Sequence, residues 1–268
     1  MRLTTSLLLL GWLNFIRAAE PAAPHSLRVD ATGFDAQESD ILAICKSVAS
    51  ELQKYSPDLP RENIVIVRET KDSPITLFKR NEKHEIVVKL NTHETYWAQY
   101  SYQFAHELCH VHCGFRPGPN DNLWFEETVC ETSSLFCLRA MSRTWQNEAP
   151  FPNWKSFAPK LNNYADDTMR KRTYRQELQQ IGSIAFYQKH EKELRADPTN
   201  RELNGAIALF LLSYLEERPE RWAAFQWLNA TEKPAKESFK DYLKRWENNT
   251  PAAHQETVQG VRKLFGIP

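Results

Sequence analysis

His106-Glu107-Leu108-Cys109-His110, a Pro/Gly/Asn turn, and then Trp124-Phe125-Glu126-Glu127-Thr128-Val129-Cys130-Glu131 are the segments on which the reading of this chain turns. Around the first, Trp97, Tyr100, Phe104, Leu108 and Val111 recur at three- and four-residue spacing, which predicts a helix over 94–113 that Gly114 is placed to end. At about 100° per residue those apolar positions form one stripe, and His106 and His110 project from the opposite side, one turn apart. Two imidazoles at i and i+4 reach one tetrahedral ion with little rearrangement, and a carboxylate beside the first can hold the water on that ion. His106 and His110 are therefore candidate ligands of a single Zn2+, and Glu107 is the candidate general base.

A catalytic zinc takes three protein ligands and leaves one position open. One template places a glycine and a third histidine downstream of the pair, but Cys113 and Arg116 stand at those positions. The second helix, expected over 123–143, offers Glu126 and Glu127, 16 and 17 residues after His110. Glu127 is preferred because Glu131 lies one turn beyond it on the same face. A second carboxylate there can accept the free ring N–H of a ligating histidine and fix its tautomer. Glu126 has no such partner, and His112 points away from the ligand pair.

The two segments together resemble the catalytic core of the gluzincin peptidases, whose aminopeptidase branch carries a similar Trp-containing stretch before its ligand glutamate. The resemblance spans roughly 85–139. It implies a zincin-like α+β fold and hydrolysis of peptide bonds by a zinc-bound water, with Glu107 as base. It also implies that the strand preceding the site helix, here 85–90, pairs with extended substrate, an edge-strand mode that is physically reasonable. Asn204-Gly205-Ala206 is similar to a Lys-Gly-Ala segment of that branch, but the family's transition-state tyrosine would fall on Glu202. The Gly-x-Met-Glu-Asn segment that reads a free amino terminus is absent, so exopeptidase activity is not implied. Candidates for a further oxyanion donor are Tyr164, Tyr174, Tyr187, Tyr214 and His190. The competing reading is a catalytically silent, zincin-like protein that binds peptides or other proteins.

Outward from the site, a helical pattern over 35–55 and three short β-branched strands at 63–68, 75–79 and 85–90 precede the motif. Beyond 115 the pattern is helical to the end. The expected fold is α+β, with a small mixed-sheet lobe over about 25–114, a mostly helical lobe over about 115–268 and the metal site between them. Residues 1–19 read as a signal peptide, with Arg2 ahead of an apolar run too short to make a stable membrane span. The remaining 20–268 read as a single secreted or periplasmic domain without stable membrane insertion. Its five cysteines make one or two disulfides possible between the site helices. Cys113 permits a His-His-Cys site, ranked below Glu127 because an exported chain tends to use cysteine in disulfides. Lys plus Arg equals Asp plus Glu at 34 each, which gives no support to a nucleic-acid partner. The expected partner is a peptide or protein substrate, and oligomeric state is not legible.

Overall fold

The computed structural model describes residues 25–268 apart from 57–60, 115, 117, 119 and 235. The expected signal peptide at 1–19 lies outside the described residues. No helix among the described residues is long and apolar enough to cross a membrane.

The chain is α+β, with a small four-stranded mixed sheet in its first third and a helical lobe after it. Strands β1 (Ser26–Val29), β2 (Asn63–Arg68), β3 (Ile75–Leu77) and β4 (Ile86–Leu90) lie in the order β1-β2-β4-β3. β1, β2 and β4 are parallel, and β3 is antiparallel to β4. β4 alternates as an amphipathic strand should, burying Ile86, Val88 and Leu90. Each such side chain contributes roughly 1.5–3 kcal/mol. The apolar stripe of α1 (Glu38–Gln53), Ile41, Ile44, Val48 and Leu52, is buried where α1 packs against β1 and the site helices.

The expectation for the strand before the site helix needs correcting. β4 is hydrogen-bonded on both sides, by β2 and by β3, so it has no free edge to offer a peptide. The cause is the turn at 81–85. There the Asn81 carboxamide accepts from Lys83 N at 3.0 Å and Glu85 N at 2.9 Å, His84 takes φ +59°, and β3 folds back over the edge of β4. The strand outermost on that side is β3.

Helix α2 (Trp97–His112) buries Trp97, Tyr100, Phe104, Leu108 and Val111, the stripe expected from spacing. Gly114 follows it at φ +80°, a left-handed conformation that costs glycine little. Helix α3 (Leu123–Glu148) runs back along α2 and also packs against α4 (Ala158–Arg170) and α6 (Arg201–Glu217). Being covered on most sides, it carries buried residues around nearly its whole circumference, including its first turn. Helix α5 (Arg175–Ala196) breaks at Gly182, φ +77°. Helices α7 (Phe239–Asn249) and α8 (Gln255–Leu264) complete the lobe. The start of α3 is fixed by an aromatic cluster in which the Trp124 and Phe125 rings lie 4.7 and 5.3 Å from Phe239. With both rings held in the core, Glu126 and Glu127 are turned toward α2.

Candidate metal centre

α2 and α3 form an antiparallel hairpin floor, with β3 on one side and the approach to α6 on the other. The cleft between has a volume of about 720 Å³. His106 and His110, one turn apart on α2, stand with ring centroids 5.3 Å apart. Across from them the Glu127 carboxylate places Oε2 3.2 Å from His106 Nε2 and Oε1 3.7 Å from His110 Nε2. With Zn–N near 2.0–2.1 Å and Zn–O near 2.0–2.2 Å, a tetrahedral zinc sets its ligand atoms about 3.4 Å apart. Each observed separation is close to that edge, the two running to different oxygens of the one carboxylate.

The electrostatics of the pair favour positive charge. Burial alone lowers the His110 imidazole, yet the hydrogen bond to Glu126 and the charges of Glu126, Glu127 and Glu107 raise it to about 10. Burial likewise lowers His106, and Glu127 and Glu107 outweigh it and raise it. Glu127 is raised by burial but held below the ordinary carboxylate range by its hydrogen bond to His106. The carboxylates around the pair thus draw positive charge onto it, a charge that either a proton on the rings or a cation held between them would supply.

His110 Nδ1 lies 3.0 Å from Glu126 Oε1. An ionised carboxylate only accepts, so Nδ1 carries the proton and Nε2 is left for a metal. Glu126 is itself held by Asn229 Nδ2 at 2.9 Å, with Lys233 Nζ 3.7 Å from the same oxygen. Glu131, expected to orient a histidine, instead accepts from the Tyr102 hydroxyl at 2.6 Å and from the Arg172 guanidinium. The reason is directional: on an antiparallel pair, a step of one turn forward on α3 moves one turn backward on α2, from His106 to Tyr102. Sequence spacing without a helix direction could not assign that role, so Glu126 was missed.

Glu107 is buried, and its Oε2 accepts from the Thr76 hydroxyl at 2.8 Å. This bond ties the candidate base to the edge strand β3. Its other carboxylate oxygen has no protein partner among the described residues and faces the cleft.

All five cysteines are free and fully buried, so the possible disulfide between the site helices is not formed. Cys113 Sγ turns away from the histidines to Cys109 Sγ at 4.0 Å. A different thiol, Cys130, brings its sulfur within 4.8 Å of the histidine nitrogens. The structure thus offers two third donors beside the histidine pair: the Glu127 carboxylate, with one oxygen near each Nε2, and the fully buried Cys130 thiol, which also bonds Cys109. His112 Nε2 bonds to Trp222 O at 3.2 Å and Ser56 Oγ at 3.3 Å, away from the pair.

Among the five candidate oxyanion donors, Tyr164 lines the cleft. Tyr187 is buried against Trp124, Phe239 and Phe265, and Tyr214 donates to Thr257 O. His190 bonds to Glu177 at 2.9 Å and packs on Tyr174. Spacing missed Thr76, Asn229, Lys233 and Arg201; Asn229 begins an Asn-x-Thr pattern, which carries no metal-site signal, and the others carry no local motif. No family model, curated protein or solved structure matches the chain.

Proposed function

We propose that this chain is an exported zinc peptidase of gluzincin type, holding one Zn2+ through His106 Nε2, His110 Nε2 and Glu127, with a peptide or protein as substrate. The observation that carries the proposal is the convergence of both Nε2 atoms on the Glu127 carboxylate at 3.2 and 3.7 Å, in an open cleft beside a buried carboxylate. Bound zinc supplies Lewis acidity, acidifying a water and polarising a carbonyl oxygen. Glu107 takes the proton from the attacking water on its free oxygen and delivers it to the leaving amine, while Thr76 keeps the carboxylate aimed into the cleft. Glu126 fixes the His110 tautomer. β3, rather than β4, is the strand positioned to hydrogen-bond an extended substrate, with Thr76 turned inward and Ile75 and Phe78 exposed. Tyr164, on the cleft wall, is the remaining tyrosine candidate for stabilising the oxyanion.

The test is to incubate the zinc-loaded protein and its Glu107→Gln variant with a diverse peptide mixture and read the products by mass spectrometry. Cleavage by the first and a loss of about 10²–10⁴-fold in the second is the expected result. Equal product profiles refute the role of Glu107. Zinc retained without any product favours a catalytically silent peptide-binding protein, and no zinc uptake removes the metal centre altogether.

A further inference from the structure

The charged groups of the cleft are unevenly committed. Each of its carboxylates has a partner: Glu107 with Thr76, Glu126 with His110 and Asn229, Glu127 with both histidines, and Glu131 with Tyr102 and Arg172. Lys233, nearly buried, is taken up by Glu126, 3.7 Å away. Arg201 is different. It opens α6 on the helical wall, is exposed, and acts electrostatically on Glu127, yet its guanidinium has no hydrogen bond or ion pair among the described residues. Its backbone, in contrast, is pinned, with Arg201 O accepting from Arg172 Nη1 at 3.3 Å. Arg116, at the end of the cleft beyond His110, is likewise unpaired among the described residues. The uncommitted charge lining the cleft is therefore positive.

We infer that Arg201 is a specificity-determining residue that binds a carboxylate of the substrate, so that the cleft selects peptides bearing an acidic side chain or a free carboxyl terminus close to the reacting bond. This inference rests on the peptide-binding cleft proposed above. A guanidinium matches a carboxylate in a two-pronged arrangement that a neutral amide cannot reproduce. The opposite wall offers Ile75, 47% exposed, which suits an apolar neighbour on the same peptide.

The experiment is a binding titration with Glu107→Gln protein, so that no probe is consumed. The probes are a hexapeptide series with one Glu or Gln moved through each position, every member made with a carboxyl and with an amide terminus. At one position at least, the carboxylate form should bind about tenfold more tightly than its neutral twin, equivalent to about 1.4 kcal/mol. Preference for internal Glu identifies a side-chain carboxylate, and preference for the acid terminus identifies the chain end. Arg201→Gln should bring the ratio to about one, and Arg201→Glu should invert it in favour of Lys-containing probes. A ratio of one in the parent protein, or a ratio unmoved by both Arg201 variants, overturns the inference. Failure of the peptidase proposal shows separately: no products from any peptide with Glu107 present, while the charge-dependent binding ratio persists.

Discussion

Gly205→Ala should destabilise the protein although it places a better helix former inside α6, one turn from its start. A Cβ at 205 would stand 2.5 Å from Arg172 Nε and 2.7 Å from Arg172 Nη1. A flexible guanidinium would ordinarily step aside, but this one is clamped. It pairs with Glu131, both side chains being only 10% exposed, and donates to the Tyr102 hydroxyl at 3.1 Å and Arg201 O at 3.3 Å. Separating a buried ion pair costs about 3–5 kcal/mol, while replacing glycine by alanine in a helix interior gains about 1 kcal/mol. The net loss is about 2–4 kcal/mol, measurable by denaturant unfolding followed through the fluorescence of the eight tryptophans. In an Arg172→Ala background the obstacle is gone, and Gly205→Ala should then stabilise by up to about 1 kcal/mol. A neutral effect in the parent, or the same loss in both backgrounds, would refute the reasoning.

The two acidic neighbours of the ligand set should separate by assay. Glu126→Gln is expected to weaken zinc binding about 10–100-fold by freeing the His110 tautomer. Glu131→Gln should leave zinc affinity nearly unchanged while costing about 3 kcal/mol of stability; competition with a chromophoric chelator and denaturant curves test the pair. His25 is pulled down to about 4, chiefly by burial and next by His112, and its Nδ1 accepts from Glu62 N at 3.1 Å. Between about pH 6.5 and 4 the unfolded chain therefore binds a proton that the native state does not. Stability falls as pH is lowered through that window, by up to about 3 kcal/mol, and His25→Asn should flatten the slope. Ellman's reagent should find five thiols in denaturant and almost none in the native protein.

What was legible before the structure is what local periodicity encodes. The stripe from Trp97 to Val111 marked α2, the β-branched runs marked β2, β3 and β4, and the i, i+4 histidines follow from helix geometry alone. β1 was missed because Ser26–Val29 is only four residues long and begins close to a Pro/Ala stretch. The rest needed tertiary direction. Glu126 and Glu131 could not be told apart until α3 was known to run back along α2. The edge strand could not be identified until β3 was seen to fold over β4. Arg201 and Thr76 reach the cleft from elements distant in the chain, and neither belongs to a motif.

The proposed donors all sit on one helical hairpin, with His106 and Glu127 separated by 21 residues in the chain. Such a loop costs less to close than a longer one, since closure entropy grows with the logarithm of its length. An unfolded polypeptide would keep only part of the chelate effect, since closing a loop of that length costs about 3 kcal/mol. Because ligands that also bind the denatured state stabilise the native state less, zinc should raise the melting temperature by less than its affinity for the native protein implies.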